Sequence, residues 1–430
     1  MDPLEYLLGL ETLGLKFGLD SIRLLCAALD HPEHRFRSVI VGGTNGKGSV
    51  TAMVAAALRA AGYRVARYTS PHLVTINERF WIDGRPVGTR ELEAAIERVR
   101  TVVERLEASG VLSAPPTFFE ATTVVAFELF ARAGVELAVL EVGLGGRLDA
   151  TNCVEPIAAA ITSIDLDHEQ MLGHSLAAIA REKAGIVRPD IPVVVGRMPA
   201  EARAAIAGAC RDRGSLMIRA DRRFTGTVTL VDGRTVLRST RTPARSYGTV
   251  TLGLCGRHQA DNAAVTVSLL ESLAHVGLDV SLEAIRAGLR TTDWRGRLET
   301  VVLTDGRRLL LDAAHNPAGT AALAAFLREV HPTPLPMVVA VMADKAIDAM
   351  LAQLAGCASH VVLTRTRGRR AADPLALAAR ATRLAPDVPI EVQPAIDGAL
   401  AAAWGHGPMI CVAGSIFLVG EVLEWLEPMG

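Results

Sequence analysis

Seven consecutive residues, Gly43-Thr44-Asn45-Gly46-Lys47-Gly48-Ser49, have the make-up of a loop that wraps phosphate. Glycines allow the unusual backbone and the close approach such a loop needs. Its unpaired N–H groups, at a helix N-terminus, point at bound oxygen. Lys47 adds a point charge for the β- and γ-phosphate oxygens. The run departs from the common G-x-x-x-x-G-K-[ST] form. Gly48 stands where a metal-binding hydroxyl usually follows the lysine, so Ser49 is the nearest hydroxyl. Five more runs concentrate reactive side chains: Tyr68-Thr69-Ser70-Pro71-His72-Leu73, Thr117-Phe118-Phe119-Glu120, the stretch from Glu141 to Asn152, Asp165-Leu166-Asp167-His168, and Arg181-Glu182-Lys183-Ala184-Gly185. A strand-end carboxylate such as Glu141 is what a phosphate-loop enzyme uses to hold Mg²⁺ against a triphosphate. Taken singly, Glu141 also fits a helix cap, His168 a core histidine and Asp149 a turn brace. Their gathering at strand ends near one phosphate loop favours a nucleotide site. Asp312-Ala313-Ala314-His315-Asn316-Pro317 again joins a strand to a helix, where Asp312 or Asn316 also serves as a cap. Asn262 lies in a run that opens a helix. Arg295-Gly296-Arg297 sits at a presumed hinge, where an arginine reaches a phosphate only when two domains close, or otherwise stays at the surface.

The elements that must position these residues alternate between helical and strand patterns, which reads as α/β with largely parallel sheets. The first 36 residues read as helical, with apolar residues at mixed three and four spacing. A strand over 38–41 leads into the glycine loop, and an alanine-rich helix over 50–61 follows. Further strands are expected over 137–142, 158–164 and 193–195. From about 224 to 254 short Thr/Val-rich strands, with turns at Asp232-Gly233 and Tyr247-Gly248, suggest a small antiparallel patch. A second α/β rhythm starts near Trp294, with strands over 309–312, 337–342, 361–364, 390–392 and 409–412. The expected division is therefore a phosphate-loop domain over 1–292 and a smaller Rossmann-like domain over 293–430.

The 430 residues carry Lys+Arg 45 against Asp+Glu 46, a net charge of −1, and only 4% are aromatic. That balance argues against a nucleic-acid binder working through a basic surface or base stacking. No apolar run reaches the roughly 18 residues of a membrane span, and the first residues carry no signal-peptide pattern. Six dispersed cysteines without a C-x-x-C pair read as reduced thiols. A cytoplasmic enzyme is the expectation.

In order and spacing, these motifs resemble the folylpolyglutamate synthase/dihydrofolate synthase family, the folate branch of the Mur ligases. The likeness runs from Tyr6-Leu7…Gly14…Gly18-Leu19 through the phosphate loop, Ser70-Pro71-His72-Leu73, Phe119-Glu120, 141–152, Asp167-His168, Arg181-Glu182-Lys183-Ala184-Gly185-Ile186 and Gly296-Arg297 to Asp312-Ala313-Ala314-His315-Asn316-Pro317. Gly48 after the lysine, odd by the general pattern, is what the folate branch has. The resemblance implies ATP held by Asn45, Gly46, Lys47, Gly48, Ser49, Asn262, Arg297 and Asp312. It implies Mg²⁺, two ions in all, with Ser70, Glu141 and His168 as ligands, and a carbamylated Lys183 beside the second ion. It further implies catalytic roles for Lys47, Lys183 and His315. The pterin acceptor belongs with Thr117, Phe118, Phe119, Glu120, Leu148, Asp149 and Ala150, and glutamate with His315 and Ser415. Dihydropteroate or a reduced folate, L-glutamate and ATP are the implied partners of a monomer. The competing readings are a Mur-type ligase for another carboxylate and a nucleotide-driven switch. The first would carry an extra N-terminal domain if it used a uridine nucleotide, and only about 36 residues precede the first strand.

Overall fold

A computed structural model describes residues 2–14, 18–368 and 370–426. The first sheet contains β1 (Arg37–Gly42), β2 (Val65–Tyr68), β3 (Phe80–Ile82), β4 (Arg85–Pro86), β5 (Leu137–Glu141), β6 (Pro156–Ile161), β7 (Pro192–Val195) and β8 (Leu216–Arg219). Their order is β4-β3-β2-β5-β1-β6-β7-β8; the six from β2 to β8 run parallel, and β3 and β4 add an antiparallel edge. The central strands are apolar on both faces because helices cover both. Within β5, Leu137 and Val139 pack with the phosphate-loop helix Lys47–Ala60, while Ala138 and Leu140 pack with the helix Phe118–Arg132. This alternation follows from the two-residue period of a strand.

Strands β9 (Thr225–Val231), β10 (Arg234–Arg241) and β11 (Ser246–Cys255) form a separate antiparallel sheet in the order β11-β10-β9. The third sheet contains β12 (Glu299–Val302), β13 (Arg308–Leu311), β14 (Leu335–Val339), β15 (Ala358–Leu363), β16 (Ile390–Val392) and β17 (Met409–Ala413). Its order is β12-β13-β17-β14-β15-β16, all parallel except β12. One face packs under Pro317–Val330, Ile347–Ala355 and Pro374–Leu384, the other under Ile396–Trp404 and Ile416–Leu426. The expected architecture is therefore present: a mainly parallel sheet with an antiparallel patch, and a second doubly wound sheet. No helix among the described residues is long and apolar enough to cross a membrane.

Several details differ from the sequence reading; the strand expected over 337–342, for one, is β14 at Leu335–Val339. The opening segment is not one helical stretch. Helices Pro3–Gly9 and Asp20–Ala28 are separated at Gly14 and Gly18, both with positive φ, and the part of the reading on 15–17 lies outside the described residues. Strand β6 stops at Ile161 instead of 164, because Thr162 and Ser163 turn to bond the phosphate loop. Tyr247-Gly248 is no turn but an irregularity inside β11. The chain reverses at 242–245, where the Thr242 hydroxyl accepts from the N–H groups of Ala244 and Arg245. Strand β12 was not foreseen; Asp305-Gly306 closes its hairpin with β13 and was the available signal.

Candidate active site

Parallel strands deliver their C-terminal ends to one edge, which is where an α/β sheet binds ligands. At that edge β1 runs into the phosphate loop, β5 ends on Glu141, β2 leads to Ser70 and β6 to Thr162. The loop is held from below: Thr44 N–H donates to the Ser163 carbonyl at 2.8 Å, and the Thr162 hydroxyl donates to the Asn45 carbonyl at 2.5 Å. Gly43 and Gly46 are needed there. A Cβ on Gly43 would stand 1.9 Å from the Thr162 hydroxyl, and one on Gly46, whose φ is +85°, would stand 2.3 Å from Asn262 Oδ1.

The structure also accounts for Gly48. The indole of Trp294 lies so close to this position that a Cβ would come within 2.8 Å of the ring. Trp294 is itself held, with the buried Arg67 guanidinium 4.7 Å from its ring centroid and 4.2 Å from that of Trp81. Gly48→Ala is therefore expected to push the loop off its seat and to weaken nucleotide binding about tenfold, a loss that Trp294→Ala partly restores in the double variant. Titration calorimetry with ADP checks this.

A cavity of about 500 Å³ lies against the loop. Asn45, Gly46, Lys47, Gly48, Ser49, Ser70, Glu141, His168 and Asn262 line it from the first lobe, and Arg297, Asp312, His315 and Ser415 from the second. Lys183 stands just behind, almost fully buried, its ammonium donating to the Gly43 carbonyl at 2.8 Å. Asp312 accepts from Leu298 N–H at 3.0 Å and Ala314 N–H at 2.9 Å, which fixes the turn that carries His315. Asn316 caps its helix by accepting from Gly319 N–H, and its amide also crosses to the first lobe, donating to Asn45 Oδ1 at 2.9 Å and to Asp167 Oδ2 at 3.0 Å. Lys345 completes this crossing with a 2.6 Å bond to the other oxygen of Asp167. Lys345→Ala leaves Asp167 buried without its main counter-charge. It is expected to lower kcat/KM about tenfold by loosening closure of the lobes, to be read by steady-state kinetics together with solution scattering.

The electrostatics follow from burial. Burial raises the Glu141 carboxyl, opposed by the charges of Lys47 and Arg297 and by a 3.2 Å bond from Ser70 N–H. Burial, then the like charge of Lys47, brings Lys183 down to about 7. Burial holds both His168 and His315 down at about 4, so each imidazole is neutral near pH 7 and offers a lone pair. For Asp167 burial acts upward but is outweighed, and the carboxyl stays well below its usual range. With His168 uncharged, the Lys345 ammonium and the Asn316 amide carry that effect at neutral pH.

Thr117, Glu120, Leu148, Asp149 and Ala150 do not line this cavity. Thr117 and Glu120 hold each other in a capping box, with the Thr117 N–H and hydroxyl both donating to Glu120 Oε2 at 2.8 and 2.9 Å. Asp149 is taken up by Leu144 N–H and by the N–H and hydroxyl of Thr151. Phe119 lies behind the wall, packed on Gly143, where a Cβ would meet its ring at 2.5 Å. The Phe118 ring faces the Arg79 guanidinium at 5.0 Å. A second cavity, about 320 Å³, adjoins the first through Gly48, Ser70, Glu141 and Arg297 and is walled by Trp81, Trp294 and Arg67. Arg67, Trp81, Trp294 and Lys345 escaped the sequence reading. Lys345 lies beyond the C-terminal end of parallel β14, a position that the strand-end rule would have marked.

Comparison with known proteins identifies the family of the two lobes. The family model of the Mur ligase middle domain matches residues 41–270, and that of the Mur ligase glutamate ligase domain matches 296–416. A Bacillus subtilis protein named dihydrofolate synthase/folylpolyglutamate synthase is 35% identical, over 76% of each chain. A Haloferax volcanii protein named probable bifunctional folylpolyglutamate synthase/dihydropteroate synthase is 35% identical over 98% of this chain, which spans half the length of that relative. The solved structure of Mycobacterium tuberculosis folylpolyglutamate synthase complexed with ADP superposes with a TM-score of 0.91 at 32% identity, covering 99% of both chains. With the same two-lobed fold as the tuberculosis enzyme and 76% of the Bacillus relative matched, the chain belongs to the folylpolyglutamate synthase/dihydrofolate synthase family of Mur ligases.

Proposed function

We propose that the protein uses ATP to join L-glutamate to a folate-type acid, dihydropteroate or the γ-carboxylate of a reduced folylpolyglutamate, through an acyl phosphate. The observation that carries this reading is the single cavity in which Lys47 and Glu141 of one lobe face Arg297, His315 and Ser415 of the other. ADP in the solved tuberculosis relative supports ATP as co-substrate. The two lobes are taken as domains divided at 292/293, acting as a monomer in the cytoplasm.

Asn45 to Ser49 are assigned to the phosphates, with Asn262, Arg297 and Asp312 around the rest of the nucleotide. The metal ligands proposed are Ser70, Glu141 and His168, and the donor set fits. Glu141 Oε2 accepts one backbone N–H, Ser70 lines the same cavity, and the neutral His168 ring has a lone pair to offer. When bound, Mg²⁺ neutralises charge on the phosphates. A second ion is assigned to a carbamylated Lys183.

The loop N–H groups and Lys47 bind the γ-phosphoryl group as it passes to the acceptor carboxylate, and Arg297 approaches it from the other lobe. The glutamate amine then attacks the acyl carbon, and the tetrahedral adduct collapses to the amide as inorganic phosphate leaves. His315, neutral and 3.9 Å from Asp167, is placed to take the proton that the amine sheds. Closure of the lobes through Asn45, Asn316, Asp167 and Lys345 keeps water from the acyl phosphate. The aromatic body of the acceptor is assigned to the side of the site where Phe118 and Phe119 lie, with Thr117, Glu120, Leu148, Asp149 and Ala150 shaping the surrounding backbone. The test is phosphate release from ATP with and without glutamate and either acceptor. Release that needs both organic substrates supports ligation. Equal release without them refutes it and favours a switch.

A further inference from the structure

The turn that precedes β1 holds a cluster that the ligase chemistry does not use. His31, Glu33 and His34 sit at the opposite end of β1 from the phosphate loop, about 20 Å away at the rise of an extended strand. They also precede both matched Mur ligase segments. We propose that these three side chains bind a transition-metal dication of the zinc class.

The Glu33 carboxylate is the reason. Its side chain is only 6% exposed, yet the oxygen Oε2 is buried with no hydrogen-bond partner. The other oxygen is approached by His31 Nδ1 at 2.9 Å and His34 Nε2 at 3.6 Å, its partners among the described ion pairs, and the Cys26 thiol, a weak neutral donor, lies beside the carboxylate. A carboxylate taken from water is normally matched by a full counter-charge or saturated with donors. A dication between the carboxylate and the two rings supplies that charge. One ligand atom from each of the three residues already lies within 4.8 Å of the others.

The donor set selects the ion. Two imidazoles beside one carboxylate suit Zn²⁺, Co²⁺ or Ni²⁺, whereas Mg²⁺ and Ca²⁺ favour sets in which oxygen donors predominate. The rings are stacked at 5.0 Å and half exposed, so the outer side of the cluster is open to water as a further ligand. His31 is held in the left-handed region at φ 50° and ψ 61°, with its N–H donating to the Cys26 carbonyl at 2.8 Å, which aims the ring at Glu33. A second grouping, His360, Glu391 and His406, is weaker. Glu391 is about one-third exposed, and one of its oxygens already accepts from the Gln393 amide at 2.8 Å.

The test is titration of the chelator-stripped full chain with Co²⁺, followed by visible absorption and calorimetry. Saturating Mg²⁺ and ADP are present to occupy the phosphate-loop cavity. One equivalent beyond that background is expected, with affinity at least about tenfold weaker in His31→Asn/His34→Ala. Asn tolerates the left-handed backbone, and both replaced rings are half exposed, so this variant is expected to keep its fold and its ligase rate. Glu33→Gln is expected to lose the ion as well. Unchanged Co²⁺ binding in the histidine variant, loss in His360→Ala/His406→Ala instead, or no bound equivalent in the parent chain overturns the proposal.

Discussion

Replacing Lys47 with alanine is expected to lower kcat for glutamate ligation about a thousandfold, close to 4 kcal/mol of transition-state stabilisation. Among the described residues the ammonium makes one hydrogen bond, a 3.2 Å donation to the Thr44 carbonyl, so the fold loses little when it goes. What goes, on the proposed reading, is the charge set against the migrating phosphoryl group in the cavity between the lobes, where a fixed charge acts more strongly than in bulk water. KM for the acceptor should move much less than kcat. Lys47 also depresses its neighbour Lys183, so the same substitution is expected to raise the Lys183 pKa above 7. Rapid-quench kinetics and a pH–rate profile of Lys47→Ala separate the two effects.

Lys183→Met is expected to cut ligation about a hundredfold or more while making the free protein more stable. Burial puts the Lys183 pKa at about 7 in the folded chain against the ordinary 10.5 of a lysine in water. Between those values the unfolded chain binds the extra proton. The contribution of this group to stability therefore rises with pH from about 7 to 10.5, and its penalty is complete below 7. Methionine removes that penalty but loses the bond to the Gly43 carbonyl, for a net gain on the order of 2 kcal/mol at pH 7. Denaturant melts at pH 7 and 9.5 should show the gain and a flatter pH dependence. A pKa near 7 also leaves much of the amine neutral at physiological pH, as attack on CO₂ requires. Ligation should then fall as the pH drops below 7, and a carbamate carbon from labelled bicarbonate should be seen in the parent protein and be absent from Lys183→Met. Full activity in Lys183→Met would remove Lys183 from the reaction.

The parts of the site legible in the sequence are those written in contiguous spacing. The phosphate loop needs a strand, glycines, a lysine and a helix in one short run, and all four were readable. Glu141 and Asp312 were readable because a parallel strand must point its last residue at the binding edge. The contacts that cross the lobes were not. Asn45 and Asn316 are 271 positions apart, and Lys345 and Asp167 are 178 apart; no local pattern joins them. Gly48 shows the same limit, since its oddness is visible in the sequence but its steric cause, Trp294, lies beside the hinge, far along the chain from the loop. Thr117 and Glu120 show the converse. A capping box is written plainly as T-x-x-E, and in the structure that is the bond these two side chains make.

The proposed acyl phosphate is most directly tested by isotope transfer. Acceptor labelled with oxygen-18 in both carboxyl oxygens is turned over with ATP and glutamate, and the inorganic phosphate is analysed by mass. One labelled oxygen per turnover in the phosphate, with the other retained in the amide, is the expected result. Label found in AMP, or absent from the phosphate, contradicts phosphoryl activation of the acid.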